Sequence, residues 1–237
     1  MDQKTFKFNS EIYLSKENLQ SIDTFEKNFK QLENFFSENN KFILLYGDER
    51  SGKKYILNSF INCFHFDKKI FYASLEDDYF SELILEGISY FDVIVLDRLD
   101  LAPTDSNWEL GIFNLYNELN EADKNKIIFL SDKPLNSIEF NLKDLQSRIA
   151  SISAMSFAEL NDEEKRILMK LIFNKRGISI DKSVLSYALE RSSRNLENII
   201  NLVQKIDEYS LSKKRNITVP LLKAVSYTHL RAHETTV

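Results

Sequence analysis

Gly47, Gly52 and Lys53 stand in the stretch "GDERSGKKY" at the spacing G-x-x-x-x-G-K, directly after the apolar run "FILLY" and at the opening of a helical pattern. This arrangement suits phosphate binding. Such a loop turns its backbone N–H groups toward phosphate oxygens, Ser51 among them. The helix opening near Lys53 adds its positive N-terminal end, and the Lys53 ammonium neutralises the outer phosphates. The plain alternative is a tight turn leading into a helix. Lys54 departs from the pattern, because a hydroxyl at that position ligates Mg²⁺, whereas an ammonium cannot ligate and repels the metal. Asp97, at the end of "VIVLDRLD", is the expected metal-side carboxylate, but Arg98 follows where an ATPase carries the acid that orients water. Asp100 is close enough in sequence to substitute in part. These residues anticipate a site that binds nucleotide while hydrolysing it poorly.

The elements that must position these groups are visible as short apolar runs at 42–46, 70–75, 93–96 and 127–130, each too short for a free-standing helix. Helical patterns lie between them. One begins at Ser106, where "SNWE" places Glu109 three residues after a candidate cap. Strands alternating with helices predict an α/β domain, a parallel sheet with helices on both faces. From about residue 160 the pattern is helical only. "NDEEKRILMKLIFNKRG" opens with an Asn161/Glu164 capping pair and stops at Gly177, giving a small all-α second domain joined near 156–160.

With 237 residues, 43% hydrophobic and 28% charged, the chain can bury a substantial core. No apolar stretch approaches the roughly 20 residues that span a bilayer, and the start lacks the apolar centre of a secretion signal, so the cytoplasm is the expected location. Cys63 is the single cysteine and sits among apolar neighbours, which excludes an internal disulfide and points to a core role. The net charge of -5 argues against a broad duplex-binding surface. The segment 226–237 abruptly drops the amphipathic pattern and resembles translated adaptor read-through, so the native C-terminus is expected to differ. His229 and His233, four apart, are a weak metal signature without further ligands.

The run "DLAPTDSNWELGIFNLYNELNEADKNKIIFLSDKPLNSIEFNLKDLQSRIASI" resembles the AAA+ module of the bacterial replication initiator DnaA and, more closely, its shortened relative Hda. The likeness covers most of residues 40–224. It implies a P-loop AAA+ domain over 13–158 and a helical lid over 159–225. "SDKP" matches the sensor-1 position, which implies that Ser131 or Asp132 faces the nucleotide. "DLQSR" matches the arginine-finger segment, making Arg148 the group offered in trans to a neighbour's nucleotide. An Asp144/Arg148 pair along one helix is the alternative. Arg194 in "SSRNLENIINL" matches the sensor-2 arginine. In the tail 1–12, Gln3, Phe6 and Phe8 resemble the peptide that grips the replication sliding clamp, with two apolar anchors and a polar rim contact. At 14–25, where the family contacts adenine, "LSKENLQSIDTF" departs from the pattern.

The resemblance implies ADP, or ATP, as the bound nucleotide, with Mg²⁺ in doubt because of Lys54. It implies DnaA and the sliding clamp as partners, DNA reached only through the clamp, and no membrane; it leaves a homo-oligomer open. Two other readings compete. One is a self-contained AAA+ ATPase such as a helicase loader, and the other is a DnaA-like initiator module that binds DNA itself.

Overall fold

In a computed structural model of the chain, the residues described are 14–64, 68–121, 125–178, 180–191, 199, 200 and 203. The peptide at Gln3, Phe6 and Phe8, the sensor-2 candidate Arg194, the His229/His233 pair and the tail 226–237 lie outside them. The described residues within Lys27–Glu159 form one compact unit, and those within Asn9–Glu26 and Leu160–Val237 form another.

The first unit is built on five parallel strands, β1 (Phe42–Tyr46), β2 (Ile70–Ser74), β3 (Val93–Asp97), β4 (Lys126–Ser131) and β5 (Ser153–Ser156), in the order β2-β3-β4-β1-β5. The four apolar runs become β1 to β4, and each is close to continuously apolar because a parallel sheet is covered on both sides. On one face Leu44, Ile94, Leu96, Ile127 and Phe129 pack with Trp108, Ile112, Leu115 and Leu119 of a helix, Ser106–Glu121, and with Leu145 and Ile149 of a second, Lys143–Ala150. The alternate residues Ile43, Leu45, Val93, Val95, Ile128 and Leu130 are also buried, as a pleat of period two requires. In chain order the helices are α1 (Lys16–Gln20), α2 (Asp23–Ser37), α3 (Lys53–Phe64), α4 (Ser106–Glu121), α5 (Lys143–Ala150), α6 (Asp162–Lys175) and α7 (Lys182–Arg191). Phe29 of α2 and Phe60 of α3 meet edge to face at 5.0 Å.

One strand is not announced by the sequence, and two local expectations are revised. The strand β5, "SAMS", carries no apolar run, because only Met155 of its four residues is buried and the others face solvent at the sheet edge. Glu109 does not close a capping box with Ser106. The Asp105 carboxylate takes the N–H of Asn107 instead, at 2.9 Å. The buried Glu109 carboxylate accepts the N–H groups of Asn141 and Leu142, both at 2.8 Å, just before α5. Finally, residues 14–26, expected with the sheet, group with the helical unit. The physical link is Glu164, whose Oε1 accepts the Thr24 N–H at 3.1 Å while its Oε2 closes the capping box on the Asn161 N–H at 3.0 Å. The capping pair itself forms as expected, and the helix stops at Gly177, which takes φ +71°.

Truncating Glu109 to Ala leaves two part-buried N–H donors without their acceptor, so Glu109→Ala is expected to cost about 2 kcal/mol in urea unfolding. Burial alone raises the Glu164 pKa, but the Thr24 and Asn161 N–H groups outweigh it and hold it below the ordinary value. The stabilisation is therefore complete above the unfolded-state pKa and is lost as pH falls through the lower folded one. Thermal unfolding of wild type and Glu164→Gln should differ at neutral pH and converge as pH falls through the lowered folded-state pKa of Glu164.

Candidate nucleotide site

The phosphate loop leaves β1 at Gly47, whose N–H donates to the Ser131 carbonyl at 3.2 Å, while the Phe157 N–H donates to the Tyr46 carbonyl at 2.8 Å. These bonds press β4 and the chain after β5 against the loop. A Cβ on Gly47 would lie 2.5 Å from the Phe157 carbonyl oxygen, so only glycine fits. Asp48 then accepts the Arg50 N–H at 2.9 Å and starts a single 3₁₀ turn, Glu49–Ser51. The turn ends at Gly52 with φ +76°, a left-handed conformation natural to glycine, and α3 begins at Lys53. Ser51 is buried, and its Oγ has no hydrogen-bond partner among the described residues. An unsatisfied hydroxyl beneath a glycine-rich turn at a helix N-terminus fits a phosphate ligand.

Lys53 is 2% exposed, and its Nζ donates to the Gly47 carbonyl at 2.9 Å and to Asp132 Oδ1 at 2.6 Å. Of the two sensor-1 candidates, Asp132 is the one that reaches the loop. The Ser131 hydroxyl is engaged by Lys133, accepting its N–H at 3.0 Å and donating to its carbonyl at 2.7 Å. The strand order makes this meeting possible, since β4 lies between β1 and β3 and ends beside both.

Asp97 and Lys54 form the second half of the site. Asp97 is fully buried at the end of β3, and its Oδ2 lies 2.6 Å from Lys54 Nζ. The Tyr72 hydroxyl donates to the same oxygen at 2.6 Å, and the Arg98 N–H donates to Oδ1 at 2.9 Å. Sequence reasoning missed Tyr72. The signal was available in the parallel pairing of β2 with β3, which sets Ser74 beside Asp97 and leaves Tyr72 on the same face as Ser74, two residues earlier. A magnesium ion does not fit these residues. The position that carries a hydroxyl ligand in a complete motif carries an ammonium, and that ammonium sits on the carboxylate the metal would need.

Arg98 adopts φ +63°, a left-handed conformation that is costly for a residue with a Cβ. Its guanidinium is held by three carboxylates: Asp100 at 3.2 Å, Glu76 at 3.1 Å and Asp132 at 3.5 Å. Burial alone lowers the Arg98 pKa, but the bond to Asp100 and the charges of Asp132 and Glu76 carry it above its usual value. Burial pushes the Asp100 pKa up, yet the Arg98 fork and the Asp132 N–H, which donates to it at 3.2 Å, bring it below the carboxylate norm. Arg98 is thus part of the site's charge network. Asp100 is bound to Arg98, which opposes its use as a water-orienting base.

Arg148 stands apart from this cluster. It is exposed near the end of α5, with its guanidinium 5.8 Å from the Tyr116 ring centre, and Tyr116 stacks on Phe42 at 4.1 Å. Among the described residues no ion pair joins it to Asp144. Its helix is held at the start by Glu109 and along its length by the buried Leu145 and Ile149, and it is capped by Ser151, whose Oγ donates to the Arg148 carbonyl at 2.7 Å.

Residues 162–225 match the family model described as Hda, lid domain. An uncharacterized protein of Haemophilus influenzae is 26% identical over 212 residues, covering 82% of this chain and 92% of its own length. Among solved structures, domain III of the replication initiation protein DnaA from Thermotoga maritima has a TM-score of 0.70 at 15% identity, over 88% of this chain and 93% of that one. AMPPCP-bound DnaA from Aquifex aeolicus gives 0.58 at 21% identity, over 79% of this chain and 61% of that one. The Thermotoga maritima RuvB Holliday junction branch migration motor gives 0.62 at 14% identity, over 90% and 69%. At these identities the structural likeness establishes the AAA+ fold, and the family model identifies the lid. The chain thus shares the fold of DnaA domain III, and its residues 162–225 match the Hda lid domain.

Proposed function

We propose that the chain regulates the initiation of DNA replication by switching off a DnaA-type initiator in the cytoplasm. It docks on the DNA polymerase sliding clamp through Gln3, Phe6 and Phe8. It then offers Arg148 to ATP held by a DnaA protomer, across a head-to-tail contact of the kind asymmetric rings and filaments use. The guanidinium stabilises the charge that develops on the transferring phosphoryl group, a role worth roughly a thousandfold or more in rate. The chain's own nucleotide, ADP or ATP, is structural: Gly47, Ser51, Gly52 and Lys53 cradle the phosphates, and Asp132 orients Lys53.

The observation that carries this reading is the disposition of Arg148. It is exposed, no ion pair joins it to Asp144, and its helix is held to the sheet unit by Glu109 at its start and by the buried Leu145 and Ile149, as suits a group that must act outside its own subunit. The pairing of Lys54 with Asp97 supports the same division of labour, because it disfavours hydrolysis within the chain's own loop.

The test loads DnaA with labelled ATP, adds sliding clamp assembled on DNA, and follows discharge of the label. Wild type is expected to accelerate hydrolysis, and Arg148→Ala to lose about a thousandfold of that acceleration while keeping its far-UV circular dichroism. If Arg148→Ala works as well as wild type, the finger assignment is wrong. The double variant Phe6→Ala/Phe8→Ala should lose clamp binding by surface plasmon resonance and lose stimulation in parallel. Turnover of ATP by the purified chain alone at roughly one per second would favour a self-contained ATPase instead.

A further inference from the structure

The metal position of the phosphate loop is filled by the chain's own cation. Lys54 Nζ lies 2.6 Å from Asp97 Oδ2, and the rest of that buried carboxylate is engaged by the Tyr72 hydroxyl at 2.6 Å and the Arg98 N–H at 2.9 Å. From this geometry we infer that the site takes its nucleoside di- or triphosphate free of any divalent ion, with Lys54 supplying the positive charge that Mg²⁺ supplies elsewhere. The inference rests on the nucleotide-binding reading of the loop and adds to it the form of the ligand.

Three features of the site carry the argument. A Mg²⁺ ion approaching Asp97 would have to displace an ammonium from a close ion pair and then remain beside it, so the two cations repel at short range. The carboxylate could not turn to meet the ion, because its two oxygens hold the ring of β2 and the backbone at Arg98 in place. The phosphates still find enough positive charge without a metal. Lys53 and Lys54 occupy the first turn of α3, whose N-terminal N–H groups point the same way, and the Lys54 side chain is half exposed beside its carboxylate. Because free and metal-bound nucleotide are different ligands, a site of this kind binds no better when Mg²⁺ is added.

The test is isothermal titration calorimetry of the full chain with ADP, once in excess EDTA and once in excess Mg²⁺, repeated with Lys54→Ser. Wild type is expected to bind ADP at least as tightly in EDTA as in Mg²⁺. Lys54→Ser, which restores a hydroxyl and frees Asp97, should reverse the order and bind about tenfold more tightly with Mg²⁺. Wild type that needs Mg²⁺ overturns this inference and leaves the nucleotide site standing. Wild type that binds in neither condition while Lys54→Ser binds with Mg²⁺ makes Lys54 a plug and also overturns it. Failure of both proteins to bind under either condition overturns the nucleotide reading itself.

Discussion

The ion pair between Lys54 and the buried Asp97 is the constraint around which the rest of the site is organised. Burying a carboxylate is costly unless it is paired and fully hydrogen-bonded, and here three donors from three elements converge on one side chain. Lys54 comes from the first turn of α3, Tyr72 from β2 and the Arg98 N–H from the end of β3. The pair therefore joins the loop helix to the centre of the sheet without a metal. In a hydrolytic site the corresponding carboxylate must be available to an ion, and here its capacity is already spent.

Arg98 extends the same logic outward. A left-handed residue with a full side chain is strained, and the strain is offset by a guanidinium that reaches Glu76, Asp100 and Asp132 together. Asp132 in turn holds Lys53, so the charges of the loop, of β3 and of β4 form one connected network. Such a network gives the loop a defined shape through internal pairs. It also removes from Asp100 the freedom that a catalytic base needs.

Arg148 belongs to a different mechanical unit of the same domain. Its helix starts where Glu109 accepts two backbone N–H groups and stops where Ser151 bonds back to it, while the Tyr116 ring beneath it is stacked on the first residue of β1. The guanidinium is exposed, yet its backbone is tied to the core. In the function proposed above, that combination leaves little freedom to be lost when the guanidinium docks in another molecule's site.

The sequence by itself determined the loop, the four central strands and the helix caps at Asn161 and Glu164, since these depend on local spacing, apolar runs and the conformational needs of Gly47 and Gly52. It also marked Lys54 and Arg98 as departures, because residue type at a fixed offset from a motif is local information. It could not find β5, where a solvent-exposed edge strand has no apolar run to announce it, and it assigned Glu109 to its own helix. Only the tertiary structure decided that Lys54 pairs with Asp97 across 43 positions, that Tyr72 joins them, that Asp132 and not Ser131 meets Lys53, and that residues 14–26 group with the helical unit. The physical reason is common to all four: each depends on which strands become neighbours or which helix end finds an N–H donor, and long-range pairing leaves no periodic trace in either partner.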